Sequence, residues 1–327
     1  MVHKLYNRTV MKHLLLFLVC FVATTCSKKV TVSDYIESCY YTRVAEAQLA
    51  YLQNDHAEAY RILLDLEAEI PLLNNLESYE IPMLVELCLR YGDYEKAYAY
   101  IKSLVTDHGF SVGFFVDYEN FDQLKRKPFY DSSALAKAEA DFVTDSVLVQ
   151  KMLILFQRDT AYRNSLNGWP LSDSEMVGLR RVDSCNFYDF KEILSEYGFP
   201  LAQSKRFSLQ QRSVVSASLS AMCMHLVDSA YMAFLTPILY QNIKSGDCPP
   251  DFLGNIFDSK ARADSCFSYG MYVNVGKEMI CDVEHLDERR AAIGLPPHRL
   301  SCQITRVVLE KFNPNDTVSL SMFKCDF

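Results

Sequence analysis

His225 and Asp228 stand three residues apart in a stretch of helical composition, and that spacing places both side chains on one helical face. An imidazole beside a carboxylate has two chemical uses. The carboxylate can orient the ring as a general base, or both groups can hold a metal ion, joined by Asp159 or Asp258 from other helices. The structural alternative is a buried histidine bonded to a carboxylate for packing. It is the stronger one, because two residues do not make a metal centre and no second histidine lies at ligand spacing; no metal and no other cofactor is expected. Asp282, Glu284, His285, Asp287 and Glu288 are a second group able to attract a cation. Placed ahead of Arg289 and Arg290, they read instead as the solvated first turn of a helix, where acids favour the positive end. The chain has no phosphate-cradling glycine loop, no Gly-x-Ser-x-Gly elbow, no His-Glu-x-x-His helix and no CxxC pair. The balance leans away from an enzyme.

Several helices must position these groups. Residues 147–156 have the apolar density of a buried helix, which continues with polar groups at helical spacing through Asp159 to Arg163. Residues 182–197 form a second, with Gly198 and Pro200 just past its end. Residues 214–226 form an apolar helix carrying His225 and Asp228, and residues 233–243 follow before Gly246-Asp247. Next come Phe257-Asp258-Ser259-Lys260, Tyr269-Gly270, and Leu286-Asp287-Glu288-Arg289-Arg290 leading to Gly294-Leu295-Pro296-Pro297. In this order they resemble a bacterial family known as domain of unknown function 6624, over about half of the chain, residues 148–300. The closing segment with Asp-x-Arg-Arg and Gly-Leu-Pro-Pro carries most of the likeness. Three polar positions of that family stand altered here, at Thr160, Ser259 and Met271-Tyr272, so the resemblance implies a degenerate copy of whatever site the family has.

Ahead of this region lies a repeat. The stretches from Leu49 to Tyr60 and from Leu87 to Tyr98 align without gaps at an offset of 38 residues. Each reads as a helix ending at Asn54 or Gly92, residues suited to a left-handed cap, then an aspartate and a second helix. Ala59 and Ala97 fall where paired helices approach closely. The pattern resembles the tetratricopeptide repeat, whose period is 34 residues, with the four extra residues in the connection containing Pro71 and Pro82. Residues 117–129 are similar to a segment that closes such arrays, and residues 133–141 read as a linking or terminal helix. Stacked pairs leave a concave face that holds a protein or peptide partner in many relatives, or they serve only as a docking face for the next domain. The eleven tyrosines from Tyr35 to Tyr118 suit either an interaction surface or helix packing, and packing is the commoner use.

At the start, Met11-Lys12-His13 precedes an apolar run over residues 14–23, too short to span a bilayer, ending in Thr24-Thr25-Cys26. This resembles a bacterial lipoprotein box, with Ala23 where leucine is usual, and implies covalent diacylglycerol at Cys26. Cleavage near Thr25 without acylation is the alternative, and Met11 is a second candidate start. The address expected is the bacterial cell envelope, membrane-anchored through that lipid, on the periplasmic side rather than the surface because Ser27-Lys28-Lys29 lacks an acidic tract. Without the leader, which carries Lys4, Arg8 and Lys12 and no acid, the net charge of −8 becomes −11. With no basic run, that charge argues against nucleic acid.

The expected architecture is all-α. Residues 1–25 are the leader, 26–143 the tetratricopeptide-like helical repeats and 144–300 the helical domain of the uncharacterised family. Residues 301–327 form a C-terminal segment in which residues 303–312 pair with the alternating stretch around Val318, Leu320 and Met322 as a hairpin, bringing Cys302 near Cys325 for a disulfide. Eleven cysteines, less Cys20 in the leader and Cys26, leave nine, so at least one is unpaired.

Overall fold

The computed structural model describes residues 34–73, 79–166, 170–226, 228–261, 266–271 and 277–312. The leader and Cys26 lie outside the described residues. All the described residues fall in one compact unit, Ser33–Phe327. Among them there are thirteen α-helices and no strand, only an isolated parallel bridge between Phe267 and Ile280. The all-α expectation holds.

Helices α1 (Tyr40–Leu52) and α2 (His56–Glu69) pack as one antiparallel pair, and α3 (Glu80–Tyr91) and α4 (Tyr94–His108) as the next. The reversal inside each pair needs a left-handed residue. Asn54 (φ +64°) and Gly92 (φ +80°) supply it. Asp55 then caps α2 by accepting from the Glu58 N–H, and Asp93 caps α4 by accepting from the Lys96 N–H. Ala59 and Ala97 are fully buried, which lets the backbones close up. Pro82 is in the first turn of α3 rather than in the connection, a position that tolerates proline because its missing N–H has no intrahelical partner to lose.

The 38-residue register runs on into a third unit that the sequence alone hides. Asp131, 38 residues after Asp93, caps α6 (Ser132–Asp141) by accepting from the Ala134 N–H at 2.9 Å, after the short α5 (Phe121–Lys125). The stitching between units also repeats. The Tyr60 hydroxyl donates to Asp93 at 3.4 Å, and the Tyr98 hydroxyl accepts from the Asp131 N–H at 3.2 Å. The signature is lost because Leu135-Ala136 stands where Ala-Tyr stood before.

The second half comprises α7 (Ser146–Asn164), α8 (Asp173–Tyr197), α9 (Leu209–His225), α10 (Ser229–Lys244), α11 (Asp251–Ala261), α12 (Leu286–Ala292) and α13 (His298–Phe312). Capping boxes at Ser172/Glu175 and Ser208/Gln211 start α8 and α9. Helix α9 is the hub, packed against α7 and α11, while α7 also packs on α8. The two halves are joined by more than chain continuity. The Tyr41 hydroxyl donates to the Ile243 carbonyl at 2.9 Å, the Tyr35 N–H donates to the Lys244 carbonyl at 2.9 Å, and α13 folds back on α1.

The Asp-x-Arg-Arg motif is a clasp. Asp287 accepts from the His298 N–H at 2.7 Å and so fixes the start of α13. Arg289 donates to the carbonyls of Ser268, Cys281 and Asp282. Arg290, 2% exposed, donates to the carbonyls of Tyr269 (2.6 Å) and Pro296 (2.7 Å) and to the Ser301 hydroxyl (2.8 Å). Asp282, Glu284, His285, Asp287 and Glu288 are exposed, as a solvated turn requires, and Arg290 after them is core. A Cys266–Cys281 disulfide closes the same loop. Its two cysteines are 15 residues apart, and removing the bond with Cys266→Ser and Cys281→Ser together is expected to cost about 3 kcal/mol in urea unfolding, from the chain entropy regained by the unfolded state.

The C-terminal hairpin is corrected. Residues 303–312 belong to α13, because Leu300, Ile304, Val307 and Val308 recur at helical rather than alternating spacing, and Thr305 bonds back to the Ser301 carbonyl. Cys302 lies on α13 and is disulfide-bonded. Cys325 lies outside the described residues.

Candidate functional site

His225 is the last residue of α9, and there the helix stops: Leu226 leaves helical geometry and is buried. Asp228 consequently does not share a helical face with His225. It is exposed and caps α10, accepting from the Ala230 N–H at 2.9 Å. Asp258 is fully buried on α11 and accepts from the N–H groups of Tyr269 (2.8 Å) and Met271 (2.7 Å), which ties it to the Arg290 clasp. Of the four expected residues, the structure brings only Asp159 to His225.

Asp159 sits on α7, 2% exposed, with Oδ2 2.8 Å from His225 Nδ1. The pair is a close contact between an imidazole and a carboxylate that joins α9 to α7. The other carboxylate oxygen accepts from Arg163 Nε at 2.9 Å, one helical turn on, and Arg163 reaches Asp183 on α8 at 2.6 Å. Three helices are thus laced by four charged or ionisable groups. Sequence reasoning missed Arg163 and Asp183; the only signal for Arg163 was its four-residue spacing from Asp159.

Burial works against the Asp159 charge, but His225 and Arg163 outweigh it and hold the carboxyl below its ordinary value, whereas burial pushes Asp183 up. The sign for stability follows. With a depressed folded-state value, Asp159 contributes fully above the ordinary 3.8 and loses that contribution as pH falls through the lower folded value. The stability difference between the wild type and Asp159→Asn is therefore expected to be larger at about pH 6 than at about pH 3, as read from urea midpoints.

No set of three His, Cys, Asp or Glu side chains able to hold a metal converges among the described residues. The His225 cluster also lines no part of the large cavity found elsewhere in the fold.

That cavity, of about 860 Å3, lies where the repeats meet the second half. One wall comes from the second helices of the pairs, with Glu67 on α2 and Lys96, Tyr100 and His108 on α4; the other comes from Leu201, Arg212 on α9 and the turn after α10 with Asp247. Apolar surface dominates the lining, as in sites for small molecules. Its charges are mostly engaged. Lys96 Nζ is 2.7 Å from Glu67, whose second oxygen accepts from the Tyr100 hydroxyl. Arg212 is 2% exposed, with Nη2 2.8 Å from His108 Nδ1, and burial lowers its guanidinium to about 10. One sequence signal could have found Arg212. It stands in register with Val215, Leu219 and Met222, a cation on the buried stripe of α9.

Of the eleven tyrosines, only Tyr100 lines this cavity. Tyr40 and Tyr41 are core, and Tyr60 and Tyr98 stitch the repeats together. Compared with known proteins, the chain matches no family model, no curated protein and no solved structure.

Proposed function

We propose that this protein is a ligand-binding component of the bacterial cell envelope, held to the membrane by diacylglycerol on Cys26, facing the periplasm and using the cavity between repeats and second half as its binding site. The cavity carries the reading. A void of about 860 Å3 with mostly apolar walls and a few placed charges has the size and chemistry of a binding pocket. Binding, the role expected of the repeats, is kept, but its place moves from an open concave face to the junction of the two halves.

Two observations support the address. The Cys266–Cys281 disulfide suits an oxidising compartment. No described helix is long and apolar enough to cross a membrane, and attachment through a lipid asks for none. Membership of the unknown-function family and the tetratricopeptide-like character of the repeats remain part of the proposal, resting on the motifs themselves.

The test uses Ala99, an exposed residue at the rim of the cavity on α4. Ala99→Trp should fill the entrance without disturbing the core. A lipid and peptide extract of the host envelope is expected to raise the melting temperature of the wild type and leave Ala99→Trp unmoved; equal shifts in both would defeat the reading.

A second reading, general-base chemistry at His225, is supported by its 2.8 Å approach to Asp159. The absence of these residues from the cavity leaves it the weaker of the two.

A further inference from the structure

We propose that the cavity takes an uncharged amphiphile, a hydroxyl head on an aliphatic body, with the hydroxyl donating to the Tyr100 or Ser103 side-chain oxygen. This deepens the binding-site reading above and rests on it.

The charged groups of the lining already serve one another or the fold. Lys96 Nζ is held at 2.7 Å by Glu67, whose other oxygen accepts from Tyr100, and Asp247 accepts from the Ser245 hydroxyl at 2.7 Å. Arg212 and His108 meet at 2.8 Å, and each has further partners. Glu95 is exposed at the rim, in water. An ionised head entering the cavity would therefore leave water without meeting an uncommitted opposite charge among the described residues, and a desolvated charge without a partner is strongly disfavoured. A neutral head avoids that penalty.

Two hydroxyls decide which neutral head fits. Tyr100 and Ser103 stand three apart on α4, half-buried, and both line the cavity. The Tyr100 hydroxyl donates to Glu67 and the Ser103 hydroxyl donates to Asp107 at 3.1 Å, so both protons point at carboxylates. What the two oxygens still offer is lone pairs, which accept. A ligand hydroxyl can donate to either of them. An ether has no proton to give, and a carboxylate would set acceptor against acceptor.

The body of the ligand is set by the remaining wall. Leu72, Leu73, Ile81, Leu201 and Pro249 contribute apolar surface. An aliphatic chain gains by leaving water there. A peptide would bring an N–H and a carbonyl per residue into that wall, and each would have to find a partner or carry the cost of desolvation.

Calorimetric titration of the full chain with four ten-carbon probes, each below its micelle concentration and solubility limit, tests this: decanol, decyl methyl ether, decanoate and decylammonium. Decanol is expected to bind at least about tenfold more tightly than either ion and about fivefold more tightly than the ether. Tyr100→Phe combined with Ser103→Ala is expected to bring alcohol and ether to within about twofold of each other while the ions stay weak. Lys96→Met, which releases Glu67 from its ion pair, is expected to tighten decylammonium about tenfold and to leave decanol within about twofold of its wild-type affinity. Ala99→Trp is expected to abolish binding of all four. Should a variant fail to fold, the ranking of the four probes on the wild type still decides. Either ion binding as tightly as decanol overturns the neutral head, as does an unchanged preference in Lys96→Met. An ether equal to the alcohol overturns the hydroxyl. All of these outcomes leave the cavity as a binding site. No binding of any probe overturns the amphiphile, while the response to the envelope extract judges the cavity separately.

Discussion

Arg290→Met is expected to lower the unfolding free energy by about 3–5 kcal/mol, the largest loss from any single change considered. The side chain is buried and donates to two carbonyls and a hydroxyl contributed by three separate segments. Methionine fills much of the volume but offers no donor. The carbonyls of Tyr269 and Pro296 are then left in the interior without this partner, and each unsatisfied group costs about 1–3 kcal/mol. The loop they anchor also holds the amides that bind Asp258, so that carboxylate loses definition as well. Arg290→Lys is expected to recover only a small part, since one ammonium cannot reproduce a planar fork directed at three acceptors. Urea unfolding with the disulfide intact reads both effects, and a loss of less than about 1 kcal/mol for Arg290→Met would show that the clasp is not a structural element.

Asp159→Ala is the second large effect, expected near 3 kcal/mol. Removing the carboxylate strips Arg163 of one partner and leaves His225 beside a void, while Arg163 keeps Asp183. Partial exposure of Arg163 moderates the cost relative to a sealed ion pair. A double-mutant cycle separates pairing from packing: Arg163→Met in the Asp159→Ala background should cost less than Arg163→Met alone, because the partner it serves is already gone. Strict additivity would mean that the contact contributes nothing. Neither change is expected to alter ligand binding in the cavity, which the four groups do not line.

Local signals are legible in the sequence, whereas tertiary ones are not. The Asn54-Asp55 and Gly92-Asp93 pairs announce helix reversals because left-handed caps and aspartate N-caps are local chemistry, and both helix pairs follow. The third unit escaped because Leu135-Ala136 replaced the Ala-Tyr signature while its cap, Asp131, was a single residue among many aspartates. His225 and Asp228 were joined by a spacing rule that assumes an unbroken helix. Burying Leu226 ends α9 between them and sends the aspartate to cap α10. The partner actually used, Asp159, lies 66 positions earlier, and only helix packing brings it near. Nothing local to Arg290 says that its neighbours offer three acceptors. The corner at Arg212 and His108 joins residues 104 apart, which no motif spans. Asp159 and Asp258 both keep structural partners.

The central claim is that the cavity holds a ligand. Native mass spectrometry of the full chain, purified from its native host under non-denaturing conditions, tests it most directly. The wild type is expected to carry a discrete noncovalent mass that is lost on gentle activation and absent from Ala99→Trp, in addition to any covalent lipid. A wild-type spectrum identical to that of Ala99→Trp apart from the substitution itself would contradict the account.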